Sequence, residues 1–179
     1  PQLGGPLRPG GGALATLVAP TAIALQDQEL LIADSGSRRL WRHDLGMNAL
    51  VAQPEVAVLP TTAVALAPDL TAWVLDGPGG QVRRFARDGR LLQSFRLGGE
   101  AVATAGLALA DLGATALVAD AGLRQWLELR SLGALVGSVR PLGAEGRPLG
   151  VDGIAAAGDR VWVLDRGAGR VHRVDRAGR

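Results

Sequence analysis

The residues of this chain whose types could do chemistry are few and evenly set. Four aspartates each close an apolar run: Asp34 ends "LLIAD" (30–34), Asp76 ends "AWVLD" (72–76), Asp120 ends "ALVAD" (116–120) and Asp165 ends "VWVLD" (161–165). They follow one another at intervals of 42, 44 and 45 residues. A carboxylate can act as a general base or hold a cation, but a catalytic group is needed once, not once per repeat. An Asp before a tight turn readily accepts hydrogen bonds from backbone N–H groups two residues on. The regular spacing therefore favours an architectural role, with a cation at the shared level of the four acids as the chemical alternative.

Other chemistries find less support. There is no Cys, so disulfides, thiolate metal sites and a cysteine nucleophile are excluded. The histidines are His43 and His172 only, and a catalytic zinc usually takes three protein ligands, often with His among them. Ser35 and Ser37 adjoin Asp34, yet no Gly-x-Ser-x-Gly elbow exists. The stretches "GPGG" (77–80) and "RGAG" (166–169) lack the Gly-Lys-Ser/Thr ending of a phosphate loop and read as turns. No catalytic residue, metal or cofactor is expected.

The elements that must position these residues follow the same period. Upstream of each acid lies a short apolar run: "TAIAL" (21–25), "TAVAL" (62–66), "AGLAL" (105–109) and "DGIAA" (152–156). Downstream come a small-residue turn and a third stretch: "RLWRHD", "QVRRFARD", "QWLELR" and "RVHRVD". A fourth follows in three units: "MNALVAQ" (47–53), "LLQSFRL" (91–97) and "ALVGSV" (134–139). Each unit reads as four short strands joined by tight turns. The small first run suits the crowded innermost place, and the apolar second suits burial on both faces. Four strands per 40–45 residues is the geometry of a β-propeller blade. The fold class expected is all-β, a propeller of about four four-stranded blades at 19–59, 60–102, 103–147 and 148–179. The fourth unit stops where its outer strand should begin, and "ALATLV" (13–18) is a strand without a unit. It is expected to pair outside 170–175 and complete the last blade, sparing both termini an open edge. Self-closure is favoured over an eight-bladed ring of two chains and over a larger propeller with blades outside this sequence.

"PTAIALQDQELLIADSGSRRLWRHD" (20–44) resembles the NHL repeat, with its Pro-x-Gly-Ile-Ala, its strand ending Ala-Asp-Ser-Gly and its Arg-Ile-x-x-Phe. Residues 148–179 resemble it nearly as well, while Gln81 and Gln125 stand where the motif carries Arg. The resemblance implies a propeller. It leaves activity open, since NHL-like propellers include protein-interaction platforms, RNA binders and a few lyases or lactonases.

All 19 basic residues are Arg. That explains a pI near 10.7 beside a net charge of +2, because no Lys titrates before Arg. A nucleic-acid binder concentrates positive charge on one face, whereas here 17 acids are interspersed, so nucleic acid is an unlikely partner. Arg38, Arg39, Arg83, Arg84, Arg124 and Arg170 fall between the second and third strands or at the start of the third. With Trp41 and Trp126 they form the candidate partner-binding set. Arg suits planar recognition of carboxylates, and an exposed Trp suits a protein hot spot. The competing reading pairs each Arg with an acid of a neighbouring blade. Trp73 and Trp162, three residues before an acid, are expected in the inter-blade core.

The function expected is a non-enzymatic, protein-binding scaffold or a subunit of a larger assembly. The alternatives are a propeller hydrolase or lyase with a channel-bound cation, leaning on inner acids such as Asp152, and RNA binding through the Arg-rich face. No run approaches the roughly 20 apolar residues that span a bilayer. Residues 1–12, "PQLGGPLRPGGG", have the composition of a Pro/Gly linker. They read as the start of a processed chain, so a periplasmic or secreted location is expected.

Overall fold

The apolar runs become strands where the repeat places them. A computed structural model describes residues 17–53, 56, 58, 63–76, 80–97, 104–110, 113–130 and 135–179. Its first blade holds β1 (Pro20–Gln26), β2 (Glu29–Asp34), β3 (Arg39–Asp44) and β4 (Ala49–Gln53). The second holds β5 (Ala63–Leu66), β6 (Ala72–Asp76), β7 (Gln81–Phe85) and β8 (Leu91–Arg96). The third holds β9 (Thr104–Ala110), β10 (Thr115–Asp120), β11 (Gln125–Arg130) and β12 (Leu135–Val139). The fourth holds β13 (Gly153–Ala157), β14 (Arg160–Asp165) and β15 (Arg170–Asp175). Each sheet is an antiparallel meander in chain order, and the whole is a four-bladed β-propeller. The described residues include no helix long and apolar enough to cross a membrane.

The period-2 alternation of each second strand decides what packs against what. Leu31, Ala33 and Leu40 meet Val64, Leu66, Ala72, Val74 and Phe85 between the first two blades. Trp73, Leu75 and Val82 meet Leu107, Ala116, Val118 and Leu129 at the next junction. Leu117, Ala119 and Trp126 meet Val151, Val161, Val163 and Val174 at the third. The first strands touch one another in succession, β1 with β5, β5 with β9 and β9 with β13, as innermost strands should. No comparable packing joins β13 to β1.

The strand expected to complete the last blade lies mostly outside the described residues, at 13–16. The described end of that segment belongs to the first blade: Leu17 packs against Ile32, Trp41 and Leu50, and the N–H of Val18 is bonded to Asp34. Among the described residues the last blade has three strands. The linker at 1–12 is likewise outside the described residues.

Candidate functional site

The turns between the second and third strands gather most of the residues that could do chemistry. Asp34 is buried at the end of β2. Its carboxylate accepts the backbone N–H groups of Val18 (3.0 Å), Ala19 (2.7 Å) and Gly36 (3.2 Å) and the hydroxyl of Ser37 (2.7 Å). The Ser37 oxygen in turn accepts the indole N–H of Trp41 (3.3 Å). One acid thus clamps the turn of its blade to the segment that enters the blade. Gly36 is needed for that approach, because a Cβ there would lie 2.6 Å from the Val18 side chain. Asp165 repeats the arrangement with Gly150 N–H (2.8 Å) and Ala168 N–H (2.8 Å). Asp120 holds Leu123 N–H (3.2 Å) and the Gln125 amide (3.3 Å).

These bonds set the acidity of Asp34 and Asp165. Desolvation of Asp34 opposes ionisation, but the N–H groups of Val18 and Ala19 and the Ser37 hydroxyl outweigh it, so its carboxyl lies below the usual range. Asp165 is lowered too, first by Gly150 and Ala168 and then by the charges of His172 and Arg124. A carboxylate saturated by hydrogen-bond donors is a poor proton acceptor. Asp34, Asp120 and Asp165 are turn clamps, as the spacing implied for the repeated acids.

The fourth residue after each acid adopts a left-handed backbone: Arg38 (φ 56°), Gly80 (φ 54°), Arg124 (φ 52°) and Gly169 (φ 63°). Two blades place Gly there and two place Arg. The next residue opens the third strand opposite the acid: Arg39 pairs with Asp34 in register, Gln81 with Asp76, Gln125 with Asp120 and Arg170 with Asp165. Arg38, Arg39, Arg124 and Arg170 are exposed on the side where each blade's chain enters. Among the described residues none of the four forms an ion pair. Arg39 alone has an aromatic contact, 5.8 Å over the Trp41 ring.

The other candidates separate from this rim. Arg83 and Arg84 lie inside β7 and are only half-exposed. Arg83 stands over Phe85 (5.7 Å). Arg84 stands over Trp73 (5.4 Å), donates to the Thr71 hydroxyl (3.1 Å) and pairs with Asp69 (2.8 Å). Trp41 and Trp126 are buried, which corrects the expectation of partly exposed anchors. Third strands are sandwiched between neighbouring blades, so their apolar positions face protein on either side. Trp73 is core as expected, whereas Trp162 is only half-buried.

One polar cluster escaped the sequence reading. At the opposite end of β2, buried Glu29 pairs with buried Arg42 and with Arg87 of the second blade. Arg42 also donates to the Leu70 carbonyl of that blade (3.1 Å). Glu128 plays a related part between the third and fourth blades, accepting Arg176 at 3.1 Å and Trp126 at 3.3 Å. The available signal was an acid opening an otherwise apolar strand, "ELLIAD", where the other second strands begin with Thr, Ala or Arg.

A channel cation does not fit these residues. Among the described residues no group of three or more His, Cys, Asp or Glu could hold a metal ion. The inner acid Asp152 accepts the N–H of Arg166 (2.9 Å). His43 is buried on β3, and His172 is half-buried on β15.

No family model matches the chain, and no curated protein matches it. Solved structures do. It is similar to a catalytically inactive virginiamycin B lyase from Staphylococcus aureus with quinupristin, at 14% identity and a TM-score of 0.68, over 94% of this chain and 56% of that one. It is similar to a glutaminyl cyclase from Myxococcus xanthus, at 15% identity and a TM-score of 0.63, over 91% and 68%. It is also similar to the β-propeller domain of Cps50 (Swd1) from Myceliophteria thermophila, at 15% identity and a TM-score of 0.63, over 86% and 52%. The chain spans little more than half the length of the lyase and of the Swd1 domain. At these identities the likeness is one of fold.

Proposed function

We propose that this chain is a non-enzymatic propeller of NHL-like repeats that binds an acidic protein partner. The binding face is the rim formed by Arg38, Arg39, Arg124 and Arg170. The observation that carries this reading is the sorting of the arginines. Arg42, Arg84, Arg87 and Arg176 form ion pairs with acids, while those four, on equivalent turns of three blades, are exposed and form no ion pair among the described residues, Arg124 reaching Asp165 only through its charge. Guanidinium groups held on rigid turns are suited to fork-like recognition of carboxylates. The acids beside them are occupied by backbone N–H groups, which leaves no free general base at that rim among the described clamps. The likenesses are of fold, and the lyase and cyclase among them keep an enzyme as the alternative.

The repeat itself supplies the variant that tests this. Arg38→Gly and Arg124→Gly install the residue that other blades carry at Gly80 and Gly169. Arg39→Gln and Arg170→Gln install that of Gln81 and Gln125. Relief of the left-handed backbone, about 1 kcal/mol, is offset by the greater freedom of glycine in the unfolded chain, about 0.4–1 kcal/mol. Each glycine variant is therefore expected to change stability by less than about 1 kcal/mol in urea titrations. Binding of a fluorescent 20-residue poly-glutamate peptide, followed by anisotropy, should fall by about fourfold or more in the quadruple variant, four exposed contacts each contributing roughly 0.2–1 kcal/mol. Equal binding by wild type and variant sinks the reading. Tighter binding of a 20-nucleotide single-stranded RNA, with a steep salt slope, replaces it by the RNA alternative.

A further inference from the structure

Beside Glu29, the first two blades leave a groove of about 370 Å³ between them. That lies within the range of sites for small ligands, about 300–1,000 Å³. One wall is the β3–β4 face of the first blade, with Asp44 and Val51. The other is the β7–β8 turn of the second blade, with Arg87 and Asp88. Glu29, 4% exposed, forms the floor.

The two cations of this groove are held unequally. Arg42 is buried against Glu29 and donates to the Leu70 carbonyl (3.1 Å). Arg87 also pairs with Glu29 and stands 4.0 Å from Asp44, yet its side chain is 60% exposed. Arg176, which closes on Glu128 between the third and fourth blades, is only 25% exposed. Arg87 is thus a loosely seated guanidinium in a place that suits one, and an ion pair with one member in solvent is weak.

Even with Arg87 seated, three carboxylates, Glu29, Asp44 and Asp88, face two guanidinium groups. Asp88 forms no ion pair among the described residues, and its Oδ1 accepts the Arg90 N–H (3.0 Å). Gln53, 5% exposed, lines the groove with an Oε1 that has no hydrogen-bond partner. Asp88 and Gln53 therefore both offer acceptors. Beside them stand Met47, 79% exposed, and Val51, 53% exposed.

We infer that this groove binds a guanidinium group on a short aliphatic stem, which takes the place of Arg87 on Glu29 and Asp44. Arg87 is the protein's own stand-in for that ligand, and it turns into solvent when the ligand enters. A guanidinium brings five N–H donors and no acceptor, which matches the carboxylates and the Gln53 oxygen. Its planar fork suits carboxylates better than an ammonium does. The stem lies along Met47 and Val51 and removes their apolar surface from water. An anion would meet the excess of carboxylates. The inference does not involve the arginine rim.

Met47 is the only methionine in the chain, so a carbon-13 label on its methyl group is a single reporter at the groove. Titration of the whole chain with n-butylguanidinium should shift that signal to saturation with a Kd on the order of 1 mM, the strength open to so small a ligand. Arg87→Ala removes the competing group and should tighten binding by about fivefold or more. Asp88→Asn should weaken it by about two- to fivefold, the worth of one exposed charge pair. Acetyl-arginine amide as the tighter ligand would assign the group to an arginine of a peptide, and as the weaker one to a free small molecule. The inference is overturned by no saturable shift in the wild type up to about 20 mM, by an equal response to n-butylammonium or butyrate, or by an affinity that Arg87→Ala leaves unchanged.

Discussion

Replacing Asp34 by Ala is expected to destabilise the chain by about 2–3 kcal/mol, because it strips the acceptor from three part-buried backbone N–H groups and the Ser37 hydroxyl at once. The carboxylate holds Val18, Ala19, Gly36 and Ser37 together. Its loss frees the entry segment from the first blade and withdraws the support of Ser37 from Trp41. Asp34→Asn keeps the volume but offers one acceptor oxygen where two were used, so it should fall between wild type and Ala. Urea denaturation reads both. The same clamp predicts the acid limb of stability. The folded carboxyl of Asp34 lies below its unfolded value of about 3.9. Its contribution is therefore full above that pH and is lost as pH falls through the lower folded value. Asp165 adds in the same direction. Between pH 5 and 2 the wild type should lose more stability than Asp34→Asn, and parallel acid limbs would show that the clamp does not titrate as described.

The second large effect lies at the other end of the same strand. Glu29→Ala leaves the buried Arg42 without its counter-ion, and removing one partner of a buried pair typically costs about 3–5 kcal/mol. The combined Glu29→Leu, Arg42→Met change removes both charges. It is expected to recover most of that loss, short of about 1 kcal/mol for the Leu70 carbonyl left without its donor. Arg87 is exposed enough to turn into solvent. A double-mutant cycle in urea measures the coupling, and additive single losses would mean that Glu29 and Arg42 do not act as a pair.

Much of the fold was legible in the sequence because two independent signals share one period. Apolar runs of four to seven residues alternate with small-residue turns, and an Asp closes the second run each time. The observed β4, β8 and β12 fall inside the segments expected to be fourth strands. The site was less legible. Adjacent arginines look alike in a sequence, yet Arg38 occupies a left-handed turn while Arg83 and Arg84 lie two and three residues inside a strand. Aligning Gln81 with Arg39 carries that information, since it moves the "RR" of the second unit off the turn. Trp41 and Trp126 misled for a related reason. Alternation tells which residues share a face, but in a stack of sheets both faces of an inner strand meet protein. The packing of one blade on the next is non-local, and nothing near Glu29 in the sequence announces that Arg87 will reach it.

The left-handed turn position has a consequence for how such a rim changes over time. Glycine and arginine codons of the GGN and CGN boxes differ by a single base, and some arginine codons differ from glutamine codons by one base as well. A duplicated blade can therefore gain or lose a guanidinium at positions 38, 80, 124 and 169, or one residue further on, in one mutational step. In the first blade the clamp beneath uses the aspartate with Gly36 and Ser37 and neither arginine side chain, so the charge pattern there can drift while the blade that carries it stays the same.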